Sequence, residues 1–186
     1  MNCLLPVPDE YNGSKKRLRE FYHEKFCPAS DVDLFLYGLT EEQAIDKIRD
    51  IERRVRDALL QDTTVVRTKH AITICKPLST DTRGTVTNCR AGSQYPVRHI
   101  QIVLRLYKSV SEILTGFDVD CSAAAYDGSQ VWVTPRALQS YITQINHIDL
   151  SRRSPSYENR LSKYAHRGFE IYWQHLDRSR IDPSIF

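Results

Sequence analysis

Polar and apolar residues alternate along Asp31-Val32-Asp33-Leu34-Phe35-Leu36-Tyr37, so Val32, Leu34 and Leu36 share one face and both aspartates, Phe35 and Tyr37 the other. That period of two predicts a strand. Gly38-Leu39-Thr40 then turns into a helix over about 41–60. Thr40 and Gln43 have capping-box spacing there, and Ala44, Ile45, Ile48, Ile51, Val55, Ala58 and Leu59 make one apolar stripe. Upstream, the helical spacing of Leu18, Phe21, Tyr22 and Lys25 predicts a short helix over 14–26, started by Ser14, with Lys15, Lys16, Arg17 and Arg19 facing water.

The β-branched runs 63–68 and 71–75, broken at Lys69-His70, predict a hairpin, and Ile100 to Tyr107 alternates as a further strand. A helical turn over Ser111–Leu114 follows. Phe117 to Ser122 alternates again and predicts a strand with Asp118 and Asp120 on one face and Phe117, Val119 and Cys121 on the other. Pro135 opens a helix from Arg136 to Ile148 with Leu138, Ile142 and Ile145 at helical spacing, and a last helix spans Tyr157 to Arg167 before Gly168. Residues 76–92 show no period and read as an inserted surface loop; Arg178 to Phe186 reads as a loose tail. The expected architecture is a single α/β (α+β) domain spanning 1–186: a mixed sheet carrying the aspartates, helix 41–60 on one side and C-terminal helices closing it.

A length of 186 residues suits one core, and a formal net charge of +3 does not announce a nucleic-acid binder. Cys3, Cys27, Cys75, Cys89 and Cys121 lack the close spacing of zinc ligands and read as reduced thiols. With no leader pattern and no long apolar run, the expected location is cytoplasmic or nuclear, with no membrane partner.

Asp31 with Asp33 and Asp118 with Asp120 are the candidate chemistry, because carboxylates held two apart on a strand repel unless a cation joins them. A pair of Mg²⁺ ions would turn that repulsion into binding. Otherwise each pair lies in solvent at a strand end, matched by Arg105, Lys108 or Arg152. His70, His99, His147, His166 and His175 are too scattered for a metal site and suit surface or capping roles, and Cys121 suits the core.

In sequence, Ser30 to Leu36 followed by a helix, further strands and then Phe117-Asp118-Val119-Asp120-Cys121-Ser122 resembles the nucleotidyltransferase fold of DNA polymerase beta, poly(A) polymerases and tRNA nucleotidyltransferases. The stretches Cys3 to Pro8, Ala29 to Leu39, Gln101 to Tyr107, Gly116 to Asp120 and Ser154 to Leu161 further resemble a domain found in fungal ankyrin-repeat proteins. These resemblances imply a site in which Asp31, Asp33 and Asp120 hold Mg²⁺ or Mn²⁺ and Asp120 helps deprotonate an attacking hydroxyl. Arg152, Arg153 and Lys163 would neutralise a nucleoside triphosphate awaiting an acceptor, or else form a solvated basic face. Gly13-Ser14, the candidate for the phosphate-holding Gly-Ser of that fold, stands far upstream of Asp31, so catalysis is expected to be weak or absent. The alternative is a non-catalytic module that binds a nucleotide or a protein partner.

Overall fold

Leu36, Ala44, Ile74 and Ile102 are buried together where a helix lies on a sheet, and this contact organises the N-terminal part of the chain. The computed structural model describes residues 7–26, 30–59, 63–75, 79–80, 86–87 and 98–174. The fold is α+β with a mixed sheet and several helices. The chain groups into two compact units, Val7–Ser109 and the part from Val110 onward.

In the first unit, strands β1 (Val32–Tyr37), β2 (Thr64–Arg67), β3 (Ala71–Cys75) and a long strand Ile100–Tyr107 form one sheet. A two-residue pair, β4 (Ser79–Thr80) and β5 (Val86–Thr87), precedes the long strand, which is therefore β6. The order is β1-β6-β3-β2, with β1 parallel to β6 and the other pairings antiparallel. Helix α1 (Lys15–Glu20) starts where Ser14 Oγ accepts from Arg17 N at 3.2 Å, and it runs on as a π-helical turn over Phe21–Phe26. Its basic residues are exposed, as their spacing predicts.

Helix α2 (Glu41–Leu59) begins with the capping box, Thr40 N donating to Gln43 Oε1 at 3.0 Å and Gln43 N to Thr40 Oγ1 at 3.3 Å. Its apolar stripe meets the sheet through Ala44, Ile48, Ile51 and Val55, while Asp50 is bound by Arg53 and Arg54 on the wet side. Within the predicted structureless segment 76–92, β4 and β5 pair antiparallel, a correction to that expectation; its other residues lie outside the described ones.

In the second unit, α3 (Val110–Thr115) leads to a 3-10 turn over Asp120–Ser122 and then to the hairpin β7 (Ala124–Tyr126) and β8 (Val131–Val133). The strand predicted over 117–122 is therefore absent from those residues. Alternation signals a strand only when one face stays wet, and here Asp118 and Asp120 are buried along with Val119 and Cys121.

Helix α4 (Pro135–Thr143) has Pro135 in its first turn and Thr134 Oγ1 accepting from Ala137 N at 3.2 Å. It ends earlier than predicted, at Gln144 with φ 59°, and Ile145 belongs to β9 (Ile145–His147). Its inner face is Ala137 and Ser140, so Leu138 and Ile142 point to solvent rather than into a core. Helix α5 (Tyr157–Ala165) and β10 (Glu170–Tyr172), parallel to β9, complete the unit around Val119, Cys121, Tyr157, Leu161 and Phe169. The predicted tail 178–186 lies outside the described residues.

Candidate protein-binding surface

Asp118 and Asp120 anchor the 117–123 segment that leads into β7. Arg160 of α5 reaches Asp118 with Nε at 3.1 Å and Nη2 at 2.5 Å, and Ser154 Oγ donates to the same carboxylate. Burial works to raise the Asp118 pKa, but the bonds from Arg160 and Ser154 prevail and hold it below the usual carboxylate range. Asp120 Oδ1 accepts from Arg136 Nη1 at 3.0 Å and Oδ2 from the His147 backbone N–H at 3.0 Å. Arg136 also reaches the Phe117 carbonyl, which ties the first turn of α4 to this segment.

The core repeats this bracing with neutral groups. Asn146, fully buried, accepts from Cys121 N at 2.9 Å and Ser140 Oγ at 3.1 Å through Oδ1, and Tyr141 O–H donates to the Cys121 carbonyl at 2.6 Å. Burial pushes the Cys121 thiol up to about 11 and the Tyr141 hydroxyl up as well. Cys121 is thus the small core residue its position suggests, held as a protonated thiol.

From this base the β7–β8 hairpin projects apolar side chains on both of its faces, Tyr126, Val131 and Val133 on one and Trp132 on the other. Tyr126 and Val131 pair across the strands and are 67% and 65% exposed; Trp132 and Val133 are also exposed. Side chains of that size commonly cover a core, yet here they meet water. The tip is rigidly built. Asp127 Oδ1 accepts from Ser129 N at 2.8 Å, Ser129 Oγ at 2.8 Å and Gln130 N at 2.9 Å, and Oδ2 accepts from Trp132 Nε1 at 2.7 Å. Gly128 follows at φ 102°, a backbone conformation side chains resist. Tyr126 O–H closes the turn onto the Gly128 carbonyl at 2.6 Å. The Gln130 and Trp132 donors in particular hold the Asp127 carboxyl far below its ordinary value, and every donor to it is neutral.

The residues singled out by sequence fall elsewhere. Asp33 lies exposed on β1 with Asp31 just before it, and Asp31 Oδ1 stands 3.9 Å from His99 Nδ1, all in the first unit. Asp120 belongs to the second unit. Among the described residues no group of three His, Cys, Asp or Glu side chains could hold a metal ion. Arg152 pairs with Asp149 at 3.0 Å, Arg153 with Glu158 at 2.7 Å, and Lys163 Nζ sits 5.0 Å from the Tyr164 ring centre. The cations that answer Asp118 and Asp120 are Arg160 and Arg136, not the Arg105, Lys108 or Arg152 the sequence offered. Arg160 is 42 residues from its partner, and no local pattern marks it.

The second unit thus combines a core braced by buried ion pairs with a hairpin whose large apolar side chains are exposed. Residues 11–144 match the family model described as Gabija anti-defense 2 family protein, and the chain belongs to that family. It is also similar to an uncharacterized protein of Acanthamoeba polyphaga mimivirus, at 34% identity over 172 residues covering 84% of this chain. The chain spans 34% of that relative's length. No solved structure matches.

The family membership corrects the resemblance to nucleotidyltransferases and to the ankyrin-associated domain. The physical reason lies at residues 117–122, whose alternation carried the resemblance. That segment is not a strand beside β1, whose neighbour in the sheet is β6, and its carboxylates are bound by arginines. The magnesium site and the triphosphate with its acceptor lose their basis with it. Among the described residues no helix is long and apolar enough to cross a membrane.

Proposed function

We propose that the chain is a non-catalytic, inhibitory protein-binding module that counters a Gabija-type defence by seating the β7–β8 hairpin on a defence protein. Membership of an anti-defence family supports the class of activity. The observation that carries the binding role is the exposure of Tyr126, Val131, Trp132 and Val133 on a turn already fixed by Asp127. Aromatic residues are the strongest anchors at protein interfaces, because they bury much area while losing few rotamers. A preformed turn lowers the ordering cost of binding further.

An inhibitor of this kind acts by occupancy. The test is to titrate the purified chain into a purified Gabija-type defence complex while following its defence activity and the intact masses of its proteins. Stoichiometric loss of activity with unchanged masses is expected. Inhibition at a small fraction of the defence protein's concentration, or a new mass on it, would replace the binding role with an enzymatic one.

A further inference from the structure

The outer edge of the four-stranded sheet is β2, since the order ends β3-β2. Its register with β3 is Thr64↔Cys75, Val65↔Ile74, Val66↔Thr73 and Arg67↔Ile72. Thr68 N donates to the Ala71 carbonyl at 2.8 Å, which makes Thr68 and Ala71 a hydrogen-bonded pair. Antiparallel ladders alternate bonded and non-bonded pairs, so Val66 and Thr64 bond to β3 while the N–H and C=O of Val65 and Arg67 face away from it. Those groups form an unpaired backbone edge among the described residues.

The strand and its turn carry cations, and the nearest acid in sequence, Asp62, stands ahead of β2. Between Thr63 and Cys75 the charged residues are Arg67 and Lys69, with His70 beside them and no Asp or Glu. Among the described residues neither Arg67 nor Lys69 has an acidic partner, and every residue from Thr64 to His70 is exposed. Val65 and Val66 point to opposite sheet faces yet are 42% and 48% exposed, so both faces of β2 are open to an added strand's side chains. Cations on an edge deter the same edge of a second copy and favour a strand of opposite charge.

We infer that β2 accepts an extended acidic segment of a partner protein by strand addition, with the Val65 and Arg67 backbones supplying hydrogen bonds and Arg67 and Lys69 selecting for carboxylates. This edge lies in a different unit from the β7–β8 hairpin and does not depend on the hairpin's role.

The probe is a fluorescent octapeptide of alternating Val and Glu, compared with a Val-Lys octapeptide and a Glu-Pro octapeptide, with binding to the full chain read by anisotropy. The Val-Glu peptide binds, the Val-Lys peptide does not, and the Glu-Pro peptide, equal in charge but poor in donors, binds at least about tenfold more weakly, the worth of one or two net backbone hydrogen bonds. Val65→Pro removes only an outward N–H and abolishes binding while the thermal midpoint holds. Arg67→Glu with Lys69→Glu transfers preference to the Val-Lys peptide. If Val65→Pro unfolds the chain, amide exchange decides: the Val-Glu peptide slows Val65 and Arg67 in the native protein.

Several results overturn the inference. Absence of Val-Glu binding does so, as does unaltered exchange at those amides. Equal affinity for the Glu-Pro peptide would mean a polyanion patch rather than strand addition. Concentration-dependent growth in light scattering that Val65→Pro abolishes would assign the edge to a second copy of this chain.

Discussion

Trp132 donates its indole N–H to Asp127 Oδ2 at 2.7 Å, so the largest aromatic of the exposed hairpin is held by the carboxylate that also shapes the turn. The shape of the turn and the placement of Trp132 thus depend on one side chain. Asp127→Asn leaves the fold in place but frees Trp132, because a neutral amide cannot serve all the donors that converge on the carboxylate. Trp132 emission is expected to shift and affinity for the partner to fall, with a nearly unchanged thermal midpoint. An unchanged emission spectrum would contradict the coupling.

The same carboxylate sets a pH signature. Its folded-state pKa is lowered, so its contribution is present above the unfolded value and is lost as pH falls through the folded one. Emission of the hairpin tryptophan, read against a Trp173→Phe background, should stay constant from neutral pH down through the ordinary carboxylate range and change only below it. A transition centred on the ordinary Asp value would show that the turn bonds do not form in solution.

Asp118 and Arg160 supply a stability test. Removing one member of a buried pair costs about 3–5 kcal/mol, and the lower end applies because the Arg160 side chain stays 34% exposed. Asp118→Asn should therefore lower the unfolding free energy in urea by about 3 kcal/mol, and Arg160→Met added to it should recover part of that loss. Additive losses would show that the two residues do not interact.

Cys121 gives a chemical test of the core. Buried beneath Tyr157 and Leu161 with its thiol pushed up to about 11, it should resist alkylation at pH 8 in the native chain and react once the chain is unfolded. Mass mapping of iodoacetamide adducts reads this directly. Labelling of Cys121 as fast as that of the partly exposed Cys75 would place it outside the core.

Much of the first unit was legible because its signals are local. Ser14 caps its helix, Thr40 and Gln43 close their box, and the 63–75 hairpin turns at Lys69-His70 as its pattern predicts. The second unit misled for a reason visible in its bonds. Asp118 and Asp120 alternate with Val119 and Cys121 as a half-wet strand would, but Arg160 and Arg136 neutralise them inside the protein. Such long-range pairing leaves no trace in a short window. The exposed apolar positions were hidden for the opposite reason: Val131 and Trp132 of the hairpin, like Leu138 and Ile142 of α4, look like core residues by type, and only their exposure marks them as surface.

The most direct test of the binding role is calorimetric titration of the chain with a purified Gabija-type defence complex, comparing wild type with Tyr126→Ala, Val131→Asp and Trp132→Ala. Interface anchors of this kind cost about 2 kcal/mol or more when truncated, roughly thirtyfold in affinity. The expected result is saturable binding that each substitution weakens to that degree while the thermal midpoint stays near wild type, because these side chains are exposed. Absence of a complex, or a complex indifferent to all three substitutions, would contradict it.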